Sequence, residues 1–312
     1  MSIAPYVIRQ EWMGLVSLTG PERQSWLQGM VTNEVEKLAP GQGCYAGHLN
    51  AQGKLIAHMT ILATEESLLL LVERVATANL ATVFDRLIIM EDVQVQDISE
   101  QYDIIALVGP ESQALIEATT GLPAPGSLYG HTMTSLGRVI RSDLGFQIAV
   151  PRETSAKALQ TLIEGGAVEI QRDTWDVLRT EAGLPVYGVD IDETTTLPEL
   201  GPRGISYDKG CYIGQEVVAR IKYIGHVNRH FVGFVCEGSE VPEIRAAVVA
   251  NGKEVGYVTT AVVSPRLARP IALGFVNRAA AAPETAVTLV GKQRTVAARV
   301  VSLPFVTMPV AD

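Results

Sequence analysis

The sequence predicts a mixed α and β body followed by a small all-β domain. Three observations carry this prediction. Up to about residue 226, stretches with helical spacing alternate with strand-like runs. Beyond it helical patterning nearly vanishes, and short apolar runs alternate with turns such as Asn251-Gly252, as in a small antiparallel barrel or sandwich. The chain has 312 residues, 47% apolar and 19% charged, enough for about two domains with sizeable cores.

Taken in order, Met13–Leu18 reads as a strand. Thr19-Gly20-Pro21 then opens a helix carrying Trp26, Leu27 and Met30, with proline suited to its first turn. Cys44–Leu49 and Leu55–Leu62 flank Asn50-Ala51-Gln52-Gly53-Lys54, a hairpin-like turn. Leu68–Val72 adds a strand, and Ala76–Ile89 a helix through Leu80, Val83, Phe84 and Leu87. Val93–Ile98 and Ile104–Val108 read as strands, Glu111–Thr119 as a short helix, and the Gly/Pro-rich 121–130 as a loop. Val139–Ile148 is one strand-like run. Thr154–Glu164 is a helix stopped by Gly165-Gly166. Asp173 is placed to cap a helix through Trp175 and Glu181. The stretch 183–208 lacks periodicity, and a loop of that length in a domain is usually functional. The final strands are Phe231–Val235, Ala246–Ala250, Glu254–Val263, Ile271–Val276, Ala286–Val290 and Arg294–Val301, with the boundary near 226–230.

Composition excludes several classes. The net charge is −9, with no basic run, which argues against stable nucleic-acid binding. Three cysteines, Cys44, Cys211 and Cys236, without CxxC spacing exclude a disulfide framework and a four-cysteine zinc site, so no stable metal is expected. Met1-Ser2-Ile3-Ala4-Pro5-Tyr6 lacks a charged region followed by an apolar core, and Leu68–Val72 is too short to span a bilayer. The expectation is a soluble, cytoplasmic protein in a reducing compartment, without a membrane partner.

The segment most suggestive of function is Lys209-Gly210-Cys211-Tyr212-Ile213-Gly214-Gln215-Glu216. Glycines on either side permit positive φ, and a neighbouring ammonium favours a thiolate, so Cys211 reads as a presented thiol tuned by Lys209. A structural cysteine in an ordinary turn is the competing reading. Gln215 and Glu216 either orient Tyr212 or cap the segment that follows.

This segment, its lead-in Gly204-Ile205-Ser206-Tyr207-Asp208, the stretch Leu178–Asp190 and Gly256-Tyr257-Val258-Thr259-Thr260 with Ser264-Pro265 and Ile271–Gly274 together resemble the folate-binding YgfZ family, itself related to the aminomethyltransferase of the glycine cleavage system. The resemblance implies a GcvT-like folate-binding α+β portion over 1–226, made of two subdomains with a break near 50–140. A C-terminal antiparallel β-barrel would occupy 227–312. It also implies tetrahydrofolate as a bound ligand. The implied role is an accessory one in iron–sulfur cluster assembly or repair, with iron–sulfur enzymes, including tRNA-modifying ones, or assembly factors as partners and Cys211 as the working thiol. Three cysteines cannot hold a cluster alone, so any cluster contact needs ligands from elsewhere.

Folate binding asks for apolar or stacking walls, a carboxylate for the pterin N–H groups and cations for the tail. Trp175 matches a family tryptophan facing folate, and Trp12 a second one. Glu181 is a pterin acceptor or a helix-end salt bridge. Arg179 and Arg203 are tail partners or solvated arginines. Tyr187 is a pocket wall or a loop anchor. The transferase relative carries an aspartate just after the turn matching Gly53-Lys54. Here the stretch is Leu55-Ile56-Ala57-His58-Met59, without a carboxylate. His58 is either a proton shuttle or an ordinary strand histidine. The missing acid argues against the alternative function, a folate-dependent aminomethyl transferase or demethylase. A non-catalytic partner scaffold is the third reading.

Overall fold

The computed structural model describes residues 4–307, so Met1-Ser2-Ile3 of the expected start lie outside the described residues. The backbone divides into two units that are not consecutive in sequence. Among the described residues one comprises 4–171 and 203–216; the other comprises 172–202 and 217–307.

The first unit is built on two sheets. Its elements are β1 (Tyr6–Arg9), β2 (Met13–Thr19), α1 (Arg23–Gln28), β3 (Gly43–Leu49), β4 (Leu55–Ala63), β5 (Leu68–Glu73), α2 (Arg74–Leu87), β6 (Gln94–Asp97), β7 (Tyr102–Val108), α3 (Ser112–Thr120), β8 (His131–Thr134), β9 (Gly137–Ser142), β10 (Gly145–Pro151), α4 (Arg152–Glu164) and β11 (Val168–Glu169). One sheet has the order β3-β4-β5-β2-β6, the other β11-β1-β7-β10-β9-β8. Leu15, Leu62 and Leu71 of the first sheet cluster with Ile104, Ile140 and Ala149 of the second, closing a shared apolar layer. Helices α3 and α4 supply Leu115, Ile116, Ala158 and Leu162 to a second cluster with Val7, Ile105, Leu107 and Phe146.

The run Val139–Ile148 is two strands, β9 and β10, rather than one. Its apolar pattern continues through a hairpin whose turn, Asp143-Leu144, precedes Gly145 at φ +143°. The strand β1 and the helix α6 (Gln215–Tyr223) are not apparent in the sequence. Four-residue strands and a helix starting inside a glycine-rich motif give too little periodicity to read.

In the second unit, α5 (Arg172–Glu181) begins one residue before Asp173, so this aspartate sits in the first turn instead of capping it. The stretch 183–208 is not wholly irregular. Leu197–Leu200 forms a 3-10 turn closed by a reciprocal capping box between Thr196 and Glu199. The strands β12 (Arg229–Cys236), β13 (Ala247–Ala250), β14 (Lys253–Ser264), β15 (Arg269–Asn277), β16 (Ala286–Val290) and β17 (Thr295–Val301) close into an antiparallel barrel in the order β12-β15-β14-β13-β16-β17. Closure through β12 and β17 excludes the sandwich. Its interior is filled by Phe234, Val248, Val258, Leu289 and Val300, inward residues of five of its six strands. Among the described residues no helix is long and apolar enough to cross a membrane.

Candidate functional site

Two polar centres and the Lys209–Glu216 segment hold the predicted site residues. The first centre lies in the barrel-containing unit, at the C-terminal end of α5. Arg179 is 3% exposed. It donates from Nε to Asp176 Oδ1 at 2.5 Å, from Nη1 to Asp190 Oδ2 at 2.8 Å and Leu184 O at 3.3 Å, and from Nη2 to Thr260 Oγ1 at 3.1 Å. Asp190 also accepts from Thr259 Oγ1 at 2.6 Å and Thr260 Oγ1 at 2.7 Å. Consecutive strand side chains normally point to opposite faces. The register shift between Val258 and Thr260 in β14 turns both hydroxyls onto one carboxylate. Glu181, 1% exposed, accepts from Ser264 Oγ at 2.6 Å and lies 3.5 Å from Arg266 Nε.

These contacts correct two expectations. Arg179 does not present its guanidinium to a folate tail, because all three of its nitrogens bond within their own unit. Glu181 does not offer a pterin acceptor; its carboxylate is committed to Ser264 and Arg266. Trp175 is buried on α5 at 8% exposure, while Trp12, in the β1–β2 turn, and Tyr187 keep part of their rings exposed. Tyr187 also bridges to Ile191, which fixes its loop. Of the residues assigned to folate, Trp12 and Tyr187 are the ones whose exposure suits a stacking wall.

In the Lys209–Glu216 segment, Cys211 is exposed and Gly210 opens onto free space. Lys209 is buried, and its ammonium donates to Gln28 O at 2.6 Å, Val31 O at 2.7 Å and Asn33 O at 2.7 Å. An ammonium has three donors, so none remains for the Cys211 sulfur. The expected tuning of Cys211 by Lys209 is thereby replaced by a main-chain clamp. The lysine's charge acts instead on Cys44, where it opposes the burial that pushes that thiol up to about 12. Tyr212 packs with its ring 5.2 Å from the ammonium, and burial raises its phenol to about 12. Gly214 has φ +83°, and a Cβ there would stand 2.7 Å from Asn50 O. Only glycine lets the segment lie this close to the β3–β4 turn. Gln215 opens α6, and Glu216 sits in its first turn, where a carboxylate suits the helix dipole.

The second polar centre lies in the first unit and contains two residues singled out in the sequence, His58 and Arg203. His58 Nε2 is 2.9 Å from Glu73 Oε1, and its Nδ1 is 2.5 Å from Tyr45 Oη. An ionised carboxylate only accepts, so Nε2 donates to Glu73; with the second ring nitrogen unprotonated, Nδ1 accepts from the Tyr45 hydroxyl. His58 and Glu73 are both buried. Burial is the main force raising the Tyr45 phenol above its ordinary range, so this hydroxyl stays protonated. Arg203 stacks its guanidinium 4.8 Å from the centroid of Tyr45 and 5.6 Å from that of Tyr129, and hydrogen-bonds Tyr129 Oη and Asp143 Oδ2. Tyr129 holds φ +62°, an uncommon conformation for a bulky side chain.

Pairing explains the assembly. Gly47 lies opposite His58, which puts Tyr45 on the same face. The opposite face carries Ala57, paired with His48, whose ring lies edge-on to Phe84 of α2 at 4.8 Å. Ala57 is therefore fully buried on the helix-covered side. The sequence alone could have put Tyr45 and His58 on one face once the hairpin register was known. Glu73 comes from the end of β5 and Asp143 from the β9–β10 turn, and no local signal marks them.

Comparison with known proteins places this architecture. The GCVT N-terminal domain model matches residues 6–205, and the glycine cleavage T-protein C-terminal barrel domain model matches 229–307. The chain belongs to the glycine cleavage T-protein family. It is 28% identical over 310 residues to an aminomethyltransferase of Halothermothrix orenii, covering 94% of this chain and 86% of that protein. It is 30% identical to one from Streptomyces avermitilis, covering 88% and 78%. The crystal structure of glycine cleavage system aminomethyltransferase T from Bartonella henselae superposes with a TM-score of 0.89, covering 100% of this chain and 89% of that one, at 22% identity. That likeness establishes the T-protein fold, a mixed α/β body with a closed C-terminal barrel.

The relatives overturn the accessory role in iron–sulfur cluster assembly and tRNA modification, together with its iron–sulfur partners. These T-protein relatives are named for aminomethyl transfer along most of the chain. The missing acid at position 57 loses its force for a structural reason. A carboxylate at 57 in this chain would face Phe84 and the helix layer, whereas the polar chemistry of the hairpin is on the other face, at His58.

Proposed function

We propose that this protein is a folate-dependent one-carbon transferase of the aminomethyl class, with tetrahydrofolate as acceptor. One observation carries the reading: relatives named aminomethyltransferase match 85% to 94% of the chain. Its partners would be other proteins of glycine cleavage, in keeping with the family's name. Within the family, the Lys209–Glu216 segment supports the YgfZ branch, and three free thiols support a cytoplasmic setting.

The proton chemistry falls to Tyr45, His58 and Glu73. Transfer requires a proton to leave the accepting nitrogen and one to reach the departing amine. Tyr45 Oη takes a proton as its own passes to His58 Nδ1, and Glu73 stabilises the imidazolium that results. The reverse movement returns the proton. This is the base-plus-orienting-carboxylate arrangement, with a phenol as the outer member.

The test is ammonia release from an aminomethyl donor by the purified protein, with and without tetrahydrofolate. Folate-dependent release is expected, and His58→Ala should lower the rate by about 10²–10⁴-fold with unchanged folate affinity. Absence of folate-dependent release in the wild type sinks the transferase reading. A His58→Ala variant as fast as wild type removes the relay alone.

A further inference from the structure

We propose that the first unit carries a second ligand site, for a phosphate-bearing small molecule, in the cavity between the β1–β2 turn and the starts of β7 and α4. The cavity holds about 430 Å³ and is lined by Arg9, Arg74 and Arg152 on its polar side and by Met13, Tyr102 and Ile104 on its apolar side. Three guanidinium groups there share two carboxylates. Arg74 and Arg152 both pair with Glu100, the latter at 2.8 Å. Arg152 and Arg9 both pair with Asp103, at 3.4 and 3.8 Å. The three guanidiniums outnumber these two carboxylates by one, and Glu11 brings the whole group to neutrality, so the attraction for an anion rests on the free donors rather than on net charge. Glu11, also on the lining, is exposed and forms no ion pair among the described residues.

The observation that points to a ligand is Ser155. It lies on the fourth residue of α4, lines the cavity and is 1% exposed, yet its hydroxyl has no hydrogen-bond partner. A buried hydroxyl without a partner is costly, and a ligand oxygen reaching it would remove that cost. Arg9 Nε, also buried, makes no hydrogen bond either. Helix α4 starts at the cavity behind Pro151, whose side chain cannot cap it, so its first-turn N–H dipoles favour an anion there. A tetrahedral oxyanion suits this donor set because it accepts from several directions at once, from Arg9 and from Ser155. The apolar side then has room for an organic group against Met13 and Tyr102. Nothing in this assignment depends on the transferase reading.

The experiment is calorimetric titration of the full chain with phenyl phosphate, inorganic phosphate and phenol, on wild type, Ser155→Ala and Arg9→Gln. Phenyl phosphate should bind more tightly than inorganic phosphate, and phenol should not bind. Each variant should weaken phenyl phosphate about tenfold, the usual worth of a hydrogen bond to a charged group. Both substitutions are mild, and a thermal melt of each variant confirms folding before titration. No phenyl phosphate binding by the wild type, or binding that neither variant weakens, overturns the proposal.

Discussion

Arg179→Gln should destabilise the barrel-containing unit without altering folate affinity. The guanidinium makes four hydrogen bonds, two of them to carboxylates. The larger consequence falls on Asp190, whose side chain is fully buried. Breaking a buried ion pair by removing one partner costs about 3–5 kcal/mol, because the other charge is left uncompensated. Asp190 keeps Thr259 Oγ1, Thr260 Oγ1 and Val186 N as donors. Those bonds place the expected loss at the lower end, ~3 kcal/mol. Trp175 is the one tryptophan of this unit among the described residues, so its fluorescence in a urea titration reports the transition. The same samples titrated with tetrahydrofolate give the second readout. A ligand-free stability within about 0.5 kcal/mol of wild type, the range of ordinary surface substitutions, combined with weakened folate binding, would return Arg179 to the tail-binding role and refute the structural reading.

Acid sensitivity should be traceable to His131. Burial, assisted by the charge of Arg138, lowers its imidazole to about 4. Between pH 6.5 and 4 the unfolded chain binds the proton and the folded one does not, so stability falls with pH across that window. The loss from this group reaches ~3 kcal/mol by pH 4, and His131→Gln should flatten the profile in urea melts at graded pH. Gly214→Ala should cost about 1–3 kcal/mol, from positive φ and the close approach to Asn50 O, measured by thermal melting. An unshifted melt would mean the turn relaxes freely. In the native protein at pH 8, a chromogenic disulfide should titrate Cys211 alone. Cys44 is half-buried and Cys236 buried, and burial raises their thiols to about 12 and about 11. Reaction persisting in Cys211→Ser would contradict this.

Periodicity and turn chemistry made the barrel legible, because its strands are long enough to alternate and are separated by turns such as Asn251-Gly252. The β9–β10 hairpin escaped because its apolar pattern runs through the turn. The site was less legible for a related reason. Arg179, Glu181 and Lys209 are the residue types that bind anions, pterins or thiolates when exposed. Their partners, Asp190, Ser264 and the carbonyls of 28–33, are distant in sequence or carry no side-chain signal. A charged residue in a recognisable motif was therefore read as facing a ligand when it faces its own chain. His58 shows the converse: a lone histidine gains chemical meaning only when pairing brings Tyr45 and Glu73 beside it.

The same geometry explains what the Lys209–Glu216 segment does besides exposing a thiol. Lys209 ties together the carbonyls of Gln28, Val31 and Asn33. Thr32 Oγ1 donates to Gly204 O at 2.6 Å and accepts from Gly47 N at 2.9 Å, joining that loop to β3. Ile213 N donates to Gly29 O at 3.2 Å, and Gly214 lies against the Asn50–Gly53 turn between β3 and β4. These contacts converge on the hairpin that carries Tyr45 and His58. The 2.5 Å hydrogen bond between them depends on the relative placement of the two strands. Displacing the clamp should loosen that bond before it unfolds the unit. Lys209→Met keeps most of the buried volume but leaves three buried carbonyls short of a donor. It should therefore lower turnover more than it lowers folate affinity, with Cys211 as accessible as in wild type. A rate unchanged in a Lys209→Met protein of reduced stability would separate the clamp from the relay and leave the segment a purely structural role.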